Sequence, residues 1–323
     1  MLNQLQGKGL LLHHWDTDGI CSATLLLTHL KDKNITNKTP ILGNFFLTQQ
    51  ELQQYQQYDF VIIADMSLPK ENILALATHA QVCIFDHHLG PVISEVFHHN
   101  PIIKGENPNH NPSASWIVNT YLKNPVNIFA LLGVIGDHEK RILQNEMFMK
   151  IINDFCSKHN LSFDDLLHMV YLIDSSYKKG DKAEIESMPQ YLLNLTNYSD
   201  IITHPTWTKN LKEINNEINQ QLKSPSQQIN GLIYKKIHTS FSIISTITRQ
   251  ISWETKKDTV VVNTGFFEDS DEVYVRSSKD LTPMIALGKS LGFKCGGKKE
   301  VLGSIVPKNQ TESFIKEIIA FLS

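Results

Sequence analysis

The sequence predicts an α/β protein: a mostly parallel β-sheet with flanking helices, then a helical linker, then a smaller α/β C-terminal domain. Three observations predict it. Short apolar runs alternate with helical spacings through the front of the chain, the middle is helical without a strand pattern, and β-rich segments follow Ser224, Pro225 and Ser226. The 323 residues exceed one ordinary core and suit two domains of roughly 100 to 200 residues each. The expected division is 1–205 for the front domain, 206–228 for a connecting helix and linker, and 229–323 for the back domain.

Gly9 to His14 reads as a buried strand, and Ile20, Ala23, Leu26, Leu27 and Leu30 then recur at helical spacing. The unit repeats: Asp59 to Asp65 is a strand, Lys70 to His79 a helix with Pro69 at its start, and Gln81 to Asp86 a strand. Strands alternating with helices imply parallel pairing through crossovers. Pro112 to Leu122 opens on a serine cap signal and continues as a helix, and Asn127 to Ile135 is an apolar helix running into Gly136 and Asp137. Leu211, Ile214, Ile218 and Leu222 mark one face of a connecting helix. Strands are then expected at Leu232–Ile237, Phe241–Ile247, Thr259–Asn263 and Glu272–Arg276.

Composition narrows the function. Hydrophobic residues at 41% and charged residues at 20% fit a globular protein and exclude disorder as the main state. No apolar stretch reaches the roughly 20 residues needed to cross a bilayer and no signal sequence opens the chain, so a cytoplasmic protein without a membrane partner is expected. Cys21, Cys83, Cys156 and Cys295 lie far apart with no CxxC pair, against a disulfide scaffold or a thiolate metal site. A net charge of -3 argues against a binder of long duplexes. From Gly231 onward 13 basic residues face 10 acidic ones, and before it 17 face 23.

Four predicted element ends stop at the same kinds of residue. HWDTDG supplies His14, Asp16 and Asp18, IIADMS supplies Asp65, FDHHLG supplies Asp86, His87 and His88, and VIGDHE supplies Asp137. Each is unremarkable alone: HxDxDG can be a helix cap with a turn glycine, and DHH a solvated turn. Together they gather, because an open parallel sheet brings the carboxyl ends of its strands to one edge. Several carboxylates in one cleft repel unless cations hold them. Carboxylate and imidazole without thiolate favour Mn²⁺, with Mg²⁺ as the other option. His14, Asp16, Asp18, Asp65, His87 and Asp137 suit two such ions better than one.

At this point the chain resembles the DHH phosphoesterases, named for the triplet seen here as Asp86, His87 and His88. HWDTDG, IIADMS, FDHHLG and the Asp137 region match the family's four motifs, and PSASWIV looks like its following helix. The back segment resembles the DHHA1 module of nanoRNases, RecJ-type exonucleases and cyclic-dinucleotide phosphodiesterases, through VYVRSS and the run from Gly296 to Gly303. Lys298 stands where that family has histidine, and Val301 and Leu302 replace small residues.

The resemblance implies one cation on His14, Asp16 and Asp65 and a second on Asp18, Asp65, His87 and Asp137, with Asp65 bridging. It implies that His88 contacts the reacting phosphate while Asp86 orients a neighbouring histidine, and that Arg276, Ser277, Gly296, Gly297 and Lys298 bind substrate. The implied partner is a short single-stranded nucleic acid or a small nucleotide, with a homodimer left open. Only three arginines, Arg141, Arg249 and Arg276, fit a short substrate, since long tracking needs more phosphate contacts. Two other readings stand beside this one. A pyrophosphate or polyphosphate hydrolase shares the front domain, and a replication scaffold of this kind lacks metal ligands.

Overall fold

In the computed structural model, which describes residues 1–323, the apolar runs of the front segment become the interior of a parallel sheet. Its strands are β1 Lys8–His13, β2 Asn34–Lys38, β3 Phe60–Ala64, β4 Gln81–Phe85 and β5 Phe97–His99. They lie in the order β2-β1-β3-β4-β5, and every pairing is parallel. In β1, β3 and β4 nearly every residue is buried, as continuous apolar runs require when helices cover both faces. The two edge strands carry polar sequences, NITNK and FHH, and the sequence pattern did not reveal them.

The helices are α1 Thr17–His29, α2 Gln49–Tyr55, α3 Lys70–Ala77, α4 Ala114–Tyr121, α5 Ile128–His138, α6 Glu146–His159, α7 Phe163–Lys178, α8 Lys182–Leu193, α9 Ser199–Ile202 and α10 Pro205–Lys223. Side chains that accept from backbone N–H groups start several of them: Asp16 for α1, Ser113 for α4 and Asn127 for α5. α1 packs against α4, α5 and α8. None of these helices is long and apolar enough to cross a membrane.

Two compact units are present, Met1–Tyr177 with Asp181–Thr208 and Lys178–Gly180 with Lys209–Ser323. The second contains β6 Gln227–Ile229, β7 Leu232–Ile237, α11 Ile244–Thr255, β8 Thr259–Asn263, β9 Ser270–Arg276, α12 Thr282–Ser290, β10 Lys294–Lys298, β11 Val301–Pro307 and α13 Thr311–Leu322. Its sheet runs β10-β11-β9-β8-β7-β6, with only β7 and β8 parallel. Val273, Val275 and Leu302 face a core closed by Phe314 and Ile318, whereas Val261 faces one that includes Ile214 and Ile218 of α10.

The strand expected at Phe241–Ile247 is a correction. That stretch leads into α11, because Ile244, Ile247, Thr248 and Ile251 recur at helical spacing and bury one face. Their β-branching suggested a strand; packing of the amphipathic face decided otherwise.

Candidate metal centre

Register builds the site. His13 pairs with Ala64 and Ala64 with Phe85, so the next residues, His14, Asp65 and Asp86, leave the sheet side by side. The His14 N–H still donates to the Ala64 carbonyl at 3.2 Å and the Asp65 N–H to that of Phe85 at 2.9 Å. Asp65 itself turns into the left-handed region at φ 60°, which is costly for a residue with a Cβ and marks an imposed conformation.

The loop from His14 to Asp18 is pinned from several sides. Asp16 Oδ1 accepts the Gly19 N–H at 3.1 Å. Thr17 donates its N–H and its hydroxyl to Asp174 Oδ1 of α7, at 3.0 and 2.6 Å. Asp18, fully buried, accepts the Ala114 and Ser115 N–H groups at 2.7 and 2.9 Å, where the start of α4 favours negative charge. Asp174 and Gly133, to which no sequence motif points, belong to this support. An aspartate inside the apolar run MVYLIDSS is the signal that could have found Asp174.

Side-chain atoms then converge. His14 Nδ1 lies 2.7 Å from Asp16 Oδ2 and 3.6 Å from Asp65 Oδ2. His87 Nε2 lies 3.4 Å from Asp65 Oδ1 and 3.2 Å from Asp137 Oδ2. His14, Asp16 and Asp65 form one group whose candidate ligand atoms lie within 4.8 Å of one another, and Asp18, His87 and Asp137 form another. A further group joins Asp65, His87 and His88. His88 Nδ1 is 2.7 Å from Asp86 Oδ1 and 3.9 Å from Asp65 Oδ1.

These residues fit divalent cations. Adjacent ligands on a six-coordinate ion with bonds of about 2.1 Å are about 3 Å apart, and the contacts of His14 and His87 bracket that value. Both ring nitrogens of His14, together with Asp65 Oδ1, are buried without a hydrogen-bond partner. His14 Nδ1 is therefore near Asp16 but not in line with it, as when two ligands point at a common ion rather than at each other. Burial, and then the charges of Asp18, Asp16, Asp137 and Asp86, push the Asp65 carboxyl well above its usual range. Burial works the same way on Asp16, but His14 outweighs it and holds that carboxyl below the usual range. His87 is shifted down by burial, partly offset by Asp18. For His88 burial is the largest single effect, but the hydrogen bond to Asp86 and the charges of Asp86, Asp16 and Asp18 together outweigh it and raise the ring.

Residues 10–148 match the model of the DHH family, N-terminal domain. This segment is similar to that domain. No curated protein matches the chain in sequence, but solved structures share its fold. RecJ from Thermus thermophilus in complex with Mn²⁺ aligns at a TM-score of 0.70 and 12% identity, over 98% of this chain and 52% of that one. The chain thus spans about half the length of that RecJ. An exonuclease RecJ bound to manganese gives 0.65 at 12% identity, covering 98% and 90%. A pGpG-specific phosphodiesterase from Vibrio cholerae gives 0.52 at 13% identity, covering 98% and 99%.

The residues expected to bind substrate fall into two places within the second unit. Arg276, at the end of β9, and Ser277 line a cavity of about 450 Å³. Gly296, Gly297 and Lys298 do not line it; they form part of the edge strand β10. Gly297 sits at φ 148°, and a Cβ there would lie 2.0 Å from the Val301 carbonyl oxygen. Its lack of a side chain is thus required by the β10–β11 hairpin itself.

Proposed function

We propose that the chain is a two-metal phosphoesterase that hydrolyses phosphodiester or phosphomonoester bonds in short single-stranded oligonucleotides or small nucleotides. The observation that carries the reading is Asp65: a buried carboxylate in a left-handed backbone, facing His14 through one oxygen and His87 through the other. That geometry supports reading Asp65 as the bridge. His14, Asp16 and Asp65 would hold one Mn²⁺ or Mg²⁺, and Asp18, Asp65, His87 and Asp137 the other. Bound there, the cations would neutralise phosphate oxygens and lower the pKa of a water toward neutrality.

The chain's own groups do the rest. The Asp86 carboxylate fixes the His88 ring through Nδ1 and keeps it protonated to a higher pH, so Nε2–H is a donor for a phosphate oxygen. Arg276 presents a guanidinium that suits a phosphate through two parallel bonds. The test is a purified-protein screen with Mn²⁺. It compares di- to pentanucleotides, long single strands, cyclic dinucleotides, 3′-phosphoadenosine 5′-phosphate and pyrophosphate. Preferred turnover of a short nucleotide is the expected result; preferred turnover of pyrophosphate would replace the substrate, and inertness on all of them would favour the scaffold reading.

A further inference from the structure

Asp174 of α7 is a buried carboxylate that belongs to none of the candidate metal groups, and burying such a group costs free energy unless hydrogen bonds compensate it. Its partner lies 157 residues earlier: Thr17, fully buried at the first position of α1. The first N–H groups of a helix have no acceptor within it. Asp16 Oδ1 takes the one from Gly19, and Asp174 Oδ1 takes the one from Thr17 at 3.0 Å. The Thr17 hydroxyl donates to the same Asp174 oxygen at 2.6 Å and lies 3.3 Å from the Val170 carbonyl, one turn earlier in α7. The shorter contact has the length of a charge-assisted bond. From the other side α5 closes in, since a Cβ on Gly136 would lie 3.1 Å from the Thr17 Cβ.

Thr17 therefore stands where both ligand groups meet the scaffold. Asp16 before it is grouped with His14 and Asp65, Asp18 after it with His87 and Asp137, and Gly136, which it touches, directly precedes Asp137. A displacement of Thr17 would move ligands of both groups at once. We infer that Thr17 and Asp174 are a positioning pair, which fixes the two ligand groups relative to each other before any cation binds. The inference rests on the metal-centre reading for the cations themselves. Packing alone does not explain the choice of residue: an alkyl side chain at position 17 would fill the same space and leave the Asp174 carboxylate short of a donor, which is costly in a buried place.

Manganese binding to the full chain, followed by calorimetric titration, tests the pair without turnover. Thr17→Val keeps the side-chain shape and removes the hydroxyl, so both ions should bind about tenfold or more weakly, the scale found when an outer partner of metal ligands is lost. Thr17→Ser restores the hydroxyl and should bind as the parent does. Asp174→Asn keeps an oxygen that accepts both bonds and should fall between the two. Hydrogen exchange supplies a measurement that needs no variant: in chelator the Thr17 amide should exchange slowly, because Asp174 rather than metal retains it. If Thr17→Val does not fold, that measurement decides alone. A folded Thr17→Val that binds manganese like the parent, a Thr17→Ser that loses as much as Thr17→Val, or open-chain exchange of the Thr17 amide in chelator would overturn the pair and leave the metal-centre reading standing. A parent chain that binds no manganese would strike that reading, and the pair with it.

Discussion

Gly133 of α5 stands so close to Asp18 of α1 that a Cβ on it would lie 2.3 Å from Asp18 Oδ1 and 2.0 Å from Ser115 Oγ. The missing side chain lets α5 press against the carboxylate that α4 holds through two backbone N–H groups. Gly133→Ala should therefore displace Asp18. The helix gains some propensity from alanine, but overpacking costs about 1 to 3 kcal/mol. Thermal unfolding should occur at a lower temperature, and the affinity for Mn²⁺ measured by titration should fall with it. Unchanged stability and metal affinity would mean that α5 moves aside freely.

Asp65→Asn removes the proposed bridge and one charge from a cluster of carboxylates. Turnover should fall by at least about 100-fold, the scale seen when a preorganised electrostatic partner is lost. In chelator the variant should unfold at a higher temperature than the parent, since repulsion among buried carboxylates has been relieved. A rate within a few-fold of the parent would remove Asp65 from the site.

Glu272 in β9 gives the second unit its own pH dependence. Burial pushes its carboxyl up to about 7 from 4.5, against the hydrogen bond donated by Asn263 Nδ2 at 2.8 Å. A folded pKa above the unfolded one means that the associated stability is fully present below pH 4.5 and is lost as the pH rises through about 7. Denaturant titrations of the parent should show that decline. Glu272→Gln keeps an acceptor for Asn263 and cannot ionise, so it should flatten the decline and be more stable by about 3 kcal/mol at pH 8. Parallel pH curves for the two proteins would contradict this.

Arg276→Ala separates gripping from cleavage. If Arg276 binds the substrate away from the metals, the variant should retain its metal content and lose more kcat/KM on a dinucleotide than on bis-p-nitrophenyl phosphate. Lys298→Ala should have a weaker effect, because lysine is a point charge without a guanidinium fork and Lys298 lies on β10 outside the Arg276 cavity. Equal losses on both substrates would place Arg276 on the reacting phosphate.

Much of this architecture was legible because parallel sheets write themselves in apolar runs. β1, β3 and β4 are buried on both faces, and their shared register forces His14, Asp65 and Asp86 to one edge. β2 and β5 were not legible, since short polar edge strands bury too little to leave a pattern. α11 was misread because its isoleucines and threonines favour strands locally, while the helical spacing of Ile244, Ile247 and Ile251 is rewarded only by the core they enter. The support from Asp174 and Gly133 spans 157 residues in one case, and no local pattern announces such a contact.

The central claim is that the cluster around Asp65 is a two-cation site that drives hydrolysis. Equilibrium dialysis against Mn²⁺ with elemental analysis, read together with turnover of a dinucleotide on the same samples, tests it directly. Two manganese ions per chain are expected, fewer in Asp65→Asn, with turnover that rises with occupancy and disappears in excess chelator. Full turnover in chelator, or saturation of the chain with no bound manganese, would contradict it.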